Sequence, residues 1–436
     1  MSFPNTLRHR LVPSTAGQRL RGMGLSLLLA ALVAGCGGGG DVAGVGTGGT
    51  GSFSVGTVTG FGSVFVNGVR FEDNGARLLD DDGTVKVLGV DDNPLRVGMV
   101  VEVAGSVDAS GTVRTATQIA YGAEIKGPVT AVDVAAGRFS VFGIAVRTNA
   151  ATIYAGVGGV ASLAADQVVE VHGQPDSGGS IVATYVERKS PSTAAFIAGG
   201  GEYRLRGSAT SVSGAGQDFV MTVRGVGVRT NATTDFDGTP VEGALVSLRL
   251  DPVLQGDGRY LAERLKLRSS SFGSAAAAAE GEIEGYVSEL DTAAGTLRVA
   301  GYPARLDSVV SYEDGTAADL KNGVRIEAKG VVESGVLRVR RVEFESRDDD
   351  NDGDDDDLSS VAPEFEFKGV VDCPNCAAGS GSFTLRGVTV VYDAGTEFRD
   401  GLSGALLNGR KVEVKSVAAA AAGGTVYRAT RISAED

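Results

Sequence analysis

Five times along this chain a glycine-led strand opens the same succession of short elements. Gly-x-Val is followed by a second glycine, a Val-Glu-Val-like strand and a closing apolar strand. The openings fall at Gly56, Gly127, Gly207, Gly285 and Gly369, in steps of 71, 80, 78 and 84 residues. A period that long excludes one large core and calls for an array of small domains. In the second unit, Ile125 to Val132 alternates up to a turn at Ala135-Ala136-Gly137. Phe139-Ser140-Val141 then leads through Gly143 to Ile144-Ala145-Val146, and Val169-Glu170-Val171 and Ile181–Val186 close the unit. Period-two alternation, short runs and glycine turns argue antiparallel strands. Five or six strands in about 70 residues cannot build a sandwich, whereas a small barrel removes the exposed edges at that size. The expectation is an all-β chain, a tandem array of about five small antiparallel β-barrels.

The units run over 52–122, 123–190, 201–268, 280–346 and 364–436. The third is the most diverged, with Val246-Ser247-Leu248 in the Val-Glu-Val place. Composition shifts mark the linkers: Ser190-Pro191-Ser192-Thr193, the Ser/Ala run from Ser269 to Ala279, and an acidic linker over 347–363. Residues 36–51 are so rich in glycine that they read as a flexible tether, with a root-mean-square span of roughly 20 Å. Gly44-x-Gly46-x-x-Gly49 in that tether follows no strand and opens no helix, so it is no dinucleotide fingerprint.

Residues 1–35 have the parts of a secretory signal: Arg8, Arg10, Arg19 and Arg21, then an apolar run from Leu25 to Leu32, then small residues. The apolar stretch is about half the length of a membrane-spanning helix. Val33-Ala34-Gly35-Cys36 resembles the bacterial lipobox. That resemblance implies cleavage before Cys36 and acylation of its thiol and amine, and more than one acyl chain gives stable anchoring. Gly37 stands where an inner-membrane retention signal would place Asp, which directs the expectation to the outer membrane of a Gram-negative envelope. Loss of the leader leaves 401 residues with a net charge of −18. So acidic a body, without Trp or a basic patch, argues against nucleic acid as a partner.

Gly-x-Val-Thr, Gly-x-Phe-x-Val, Gly-Ile-x-Val, Val-Glu-Val-x-Gly and an Ala-Thr closing strand together are similar to a bacterial repeat family, domain of unknown function number 5666. Gly56-Thr57-Val58-Thr59-Gly60-Phe61-Gly62-Ser63-Val64-Phe65-Val66-Asn67-Gly68-Val69 carries the resemblance most fully, and it weakens in the third unit. It implies OB-like barrels, of the oligonucleotide/oligosaccharide-binding kind, on an exported lipoprotein. It implies no active site.

Asp348-x-Asp350-Asn351-Asp352-Gly353-x-x-Asp356 is the sharpest local motif. Ca²⁺ takes six to eight oxygens, and alternate carboxylates with a glycine turn supply them. Asp348, Asp350, Asp352, Asp356 and the Asp354 carbonyl form the candidate set. The pattern resembles thrombospondin type 3 loops and the first half of an EF-hand, but Ser359 stands where an EF-hand has Glu. A solvated acidic spacer is the competing reading.

Cys373-Pro374-Asn375-Cys376 sits between two strands, and an oxidising envelope favours a disulfide there. Thioredoxin-like chemistry needs a helix N-terminus at the first cysteine, and zinc needs two further ligands. His172 occupies the slot of Ala104, Arg249, Lys329 and Lys415, which predicts a solvent-facing side chain. Glu102, Glu170, Glu327 and Glu413 recur one per unit between valines and read as outward residues of half-buried strands, not as a glycosidase pair. Phe61, Phe65, Phe139, Phe219 and Phe383 read as core. No catalytic set emerges. The expectation is a non-catalytic envelope protein, held to the membrane by its lipid, whose barrels bind or space envelope polysaccharide or protein. The alternative is a calcium-tuned adhesion or scaffold protein, and no other cofactor is expected.

Overall fold

A computed structural model describes residues 51–268, 279–344, 365–385, 388–418 and 426–435. The described chain is almost entirely strand, and each of the five units is a small five-stranded barrel. In the second unit the strands are Ile125–Asp133, Arg138–Val141, Ile144–Arg147, Val168–Pro175 and Ile181–Ser190. The first pairs with the second and the fourth, and the fourth with the fifth, all antiparallel. The third then meets the fifth in parallel at Val146↔Ile181, and this pair closes the barrel. The same closing pair recurs at Val228↔Tyr260, Ala304↔Leu337 and Val390↔Tyr427. In the first unit it shrinks to one parallel bridge, Glu72↔Thr115. Parallel pairing with the closing strand continues beyond this pair, at Arg77↔Gln118, Ile153↔Tyr185, Asp235↔Arg264, Ser311↔Arg341 and Glu397↔Arg431, and is the one departure from antiparallel strand pairing within the units. It follows from the long connection between the third and fourth strands, since a parallel neighbour cannot be reached by a tight hairpin.

The glycines that set the period have one structural job. In the first four units the second and third strands are joined by two-residue turns: Asn67-Gly68, Phe142-Gly143, Arg224-Gly225 and Ala300-Gly301. Both residues of each turn have positive φ, with the non-glycine members at 53°, 53°, 48° and 50°. That is the backbone of a type I′ hairpin, whose twist matches the strands it joins. The opening glycines Gly56, Gly127, Gly207 and Gly285 lie directly against those turn residues, and a Cβ there would collide with or crowd Asn67, Phe142, Arg224 and Ala300 respectively.

Each barrel has its own filling: Phe61, Phe65, Phe139, Phe219 and Phe383 are all buried, as is Leu297 of the fourth unit. Full burial of such a side chain contributes about 1.5–3 kcal/mol. The cores also run across unit boundaries. Ile153, Ala155 and Tyr185 of the second unit pack into the core that the first shares with the fifth. Phe53 and Val55 of the first belong to the core of the fourth. The second and third share one cluster. Their joint is aromatic: Phe142 lies edge-on to Tyr203 and Tyr260 at 5.1 and 5.3 Å, and Phe196, on the short linker helix Thr193–Ala198, stacks on Tyr203.

The opening strands also join barrel to barrel. Gly51–Phe61 runs parallel to the opening strand of the fourth unit from Ser52↔Glu280 to Val55↔Ile283, and to that of the fifth at Gly60↔Glu366 and Phe61↔Phe367. Those of the second and third units pair antiparallel at Arg204↔Lys126 and Leu205↔Ile125. The array is therefore fused, with strand edges consumed by neighbouring repeats.

Candidate functional site: a polar cavity where four repeats meet

The first unit carries an extra hairpin, Arg77–Leu79 and Val85–Val87, after its third strand. Its turn is Asp80-Asp81-Asp82. Asp80 shapes it, its Oδ1 accepting from Thr84 N at 2.7 Å and its carbonyl from Gly83 N at 3.0 Å. This acidic turn enters a socket of arginines on the third unit. Along Tyr203–Ala215, Tyr203 and Leu205 point into the barrel at 0% exposure, so period two puts Arg204 and Arg206 on the other face. Arg206 Nε donates to Asp81 Oδ2 at 2.9 Å, and Arg204 Nη1 to Asp82 Oδ1 at 2.6 Å. Arg264 Nη1 reaches the Asp82 carbonyl at 2.5 Å.

Two more ion pairs surround this contact. Arg224, at the third unit's hairpin turn, donates from Nη2 to Glu124 Oε2 of the second unit at 2.9 Å and from Nε to the Arg206 carbonyl at 2.7 Å. Arg268 pairs with Glu102, the Val-Glu-Val glutamate of the first unit. The fourth unit contributes Tyr302, and Gln174 of the second donates to the Glu284 carbonyl of the fourth at 2.9 Å.

Between these groups lies a cavity of about 340 Å³ lined by residues of all four units. A smaller one of about 90 Å³ adjoins it and shares Glu124, Arg206, Arg268 and Tyr302. Burial pushes the Asp81 carboxyl up, but the Arg206 charge and hydrogen bond outweigh it and hold the group below its ordinary value. Burial likewise opposes the Arg268 charge, and Glu102 more than compensates. The Tyr302 hydroxyl is pushed well up by burial and then by Glu102. Tyr121 is raised to about 12 by burial and then by Asp80. Paired carboxylates held down in this way are poor proton acceptors. They suit fixed recognition and cohesion better than acid–base work.

The residues singled out from sequence fall elsewhere, with one exception. Glu102 lies in this cavity. Glu170, Glu327 and Glu413 are dispersed over three other barrels, each half-buried beside a cation or histidine: Lys329 at 2.6 Å from Glu327, Lys368 at 2.9 Å from Glu413, His172 at 3.4 Å from Glu170. Cys373 and Cys376 are joined in a disulfide with Cα atoms 5.5 Å apart, in the turn after Phe365–Asp372. The expectation of a solvent-facing His172 is wrong: it is 2% exposed. Its strand is buried on both faces from Val171 to Gln174, one face by its own barrel and the other by the first and fourth units, and Tyr185 lies edge-on to the ring. Cys36 and the candidate calcium residues Asp348, Asp350, Asp352, Asp354 and Asp356 lie outside the described residues. Among the described residues no group of three or more His, Cys, Asp and Glu is placed to hold a metal ion. No described helix is long and apolar enough to cross a membrane.

The arginine socket was missed from sequence. One signal pointed to it: the third unit has nine Lys and Arg against eight Asp and Glu, where the first has five against nine.

A solved structure described as "drosophila Unr CSD456" is similar to the chain at 13% identity, covering 53% of this chain and 96% of that one, with a TM-score of 0.13. No curated protein matches. The profile of the family described as Domain of unknown function (DUF5666) matches residues 51–120, 126–187, 284–343 and 368–433. It passes over the third unit, the one whose outer face is given to arginines. Four matched regions cover more than half of the chain, and the chain belongs to this family.

Proposed function

We propose that this is a non-catalytic protein of the cell envelope, anchored by lipid at Cys36, whose fused barrels form a stiff platform that binds or spaces envelope components. The observation that carries the reading is the socket in which Asp81 and Asp82 of one barrel engage Arg206 and Arg204 of another. Partly buried, geometrically matched ion pairs of this kind fix orientation more than they add stability. Barrels needed only as independent binding modules would have no use for it. The lipobox-like Cys36 and the glycine tether support attachment, and the acidic body supports a partner that is neutral or basic rather than a nucleic acid. Of the envelope components, glycan is the reading favoured by closed barrels of this plan, which commonly bind on a sheet face and its loops.

Two experiments test this. Metabolic labelling with a radioactive fatty acid should mark the wild-type chain and not Cys36→Ser. Co-sedimentation of the purified protein with peptidoglycan and envelope polysaccharide should give saturable binding without release of soluble fragments. Turnover of any such polymer would defeat the non-catalytic reading.

A further inference from the structure

We infer that the four-repeat cavity is a binding site for a small neutral polyhydroxy molecule, of the size of one sugar ring. The inference rests on the binding reading above and assigns it a place and a ligand class.

Size comes first. At about 340 Å³ the space is at the lower end of the roughly 300–1,000 Å³ typical of ligand pockets. The walls come from four barrels, so the ligand must be a compact molecule rather than a length of polymer.

Charge comes second. Three ion pairs flank the cavity, Asp81 with Arg206, Glu102 with Arg268 and Glu124 with Arg224, and the remaining ionised groups on its wall, Asp80 and Lys266, are one of each sign. An anion or a cation entering here meets charges of both signs, so that each attraction is opposed by a like charge nearby. A neutral ligand leaves all three pairs in place.

Hydrogen-bonding capacity comes third. Among the described residues Gln118, Tyr121 and Lys266, all lining the cavity, make no side-chain hydrogen bond or ion pair with the protein. They offer an amide with both donor and acceptor, a phenol and an ammonium. Asp80, also lining it, keeps one carboxylate oxygen uncommitted by its turn. A set of mixed donors and acceptors on an electrically balanced wall matches hydroxyl groups, each of which donates one bond and accepts two. The Tyr121 ring supplies an apolar surface with a polar tip, suited to a sugar's C–H face.

The site also explains why one unit departs from the repeat pattern. Lys266 stands near the end of the third unit's closing strand, Tyr260–Leu267, and Arg268 directly follows it, so that unit supplies the spare ammonium as well as the arginines that hold the walls.

The test is calorimetry and saturation-transfer NMR on the full chain in detergent, with D-glucose, N-acetylglucosamine, L-alanine and inorganic phosphate as probes. At least one sugar should bind saturably. Gln118→Ala and the cavity-filling Ala120→Phe should each weaken it at least about tenfold, the loss of one or two hydrogen bonds, with the melting temperature as the check that both variants fold. Absence of sugar binding, binding of alanine or phosphate alone, or sugar binding untouched in both folded variants would each overturn the assignment. Co-sedimentation with polysaccharide that survives in Ala120→Phe would leave the platform reading standing while removing this site.

Discussion

Arg206 Nε donates to Asp81 Oδ2 at 2.9 Å across 125 residues of sequence. Repeat three is thereby locked to repeat one, with repeat two held beside them through Arg224 and Glu124. Removing one partner leaves a largely buried charge uncompensated. Arg206→Ala is therefore expected to destabilise the fold by about 3 kcal/mol, while the paired change Arg206→Met with Asp81→Leu costs much less. Urea denaturation of Arg206→Met, Asp81→Leu and the double variant gives the coupling directly.

The joint between repeats one and four responds to pH. Glu282 faces Ser54 across that joint and is 9% exposed. Burial, and then the nearby Glu327 carboxyl, raise its pKa to about 8, against the weaker opposing pull of Lys329 and Arg114. Folded protein thus keeps this proton where unfolded chain, ionising near 4.5, gives it up. The contribution is complete below pH 4.5, declines as pH rises from there, and is gone above about 8. Glu282→Gln should leave the melting temperature unchanged at pH 4.5 and raise it by about 3 °C at pH 8.5. An equal shift at both pH values would show that the carboxyl is not the cause.

Gly127 lies under the Phe142 ring with no room for a Cβ. Gly127→Ala should cost about 2 kcal/mol through overpacking and disturb the Phe142–Tyr203 contact. Phe142→Asn, which keeps a residue tolerant of positive φ at the turn, should restore part of the loss. Chemical denaturation of the single and double variants decides it; additivity would mean that the glycine is not there to clear the ring.

The Cys373–Cys376 disulfide closes so short a loop that its removal should cost no more than about 2 kcal/mol. With both cysteines changed to serine, hydrogen exchange should quicken in Phe365–Asp372 and Gly381–Leu385 and stay unchanged in the other four repeats.

Much of the barrel was legible in the sequence. The spacing of Gly56, Gly127, Gly207, Gly285 and Gly369, the alternation along Ile125–Val132 and the Val-Glu-Val strands are local signals, and they give the count and character of the barrels. What joins the barrels was not legible. A glycine that clears a turn residue looks the same as one that ends a strand, and an opening strand that pairs with a neighbour has the same alternation as one that does not. His172 shows the consequence. Its slot holds Ala104, Arg249, Lys329 and Lys415 elsewhere, which suggests solvent. In this barrel that face of the strand is covered by other repeats, as it also is at Ala104, and nothing within the repeat records the fact. The cavity was hidden for the same reason, because its walls lie far apart in the chain.

The most direct test of the fused platform is a distance measured between repeats one and three. With Cys36→Ser as background, spin labels at the exposed positions Val113 and Val253 report it by pulsed electron resonance. The account predicts one narrow distance distribution in the wild-type body, broadened by Arg206→Ala. A broad distribution in the wild-type chain, unaffected by Arg206→Ala, would mean independently moving barrels and contradict it.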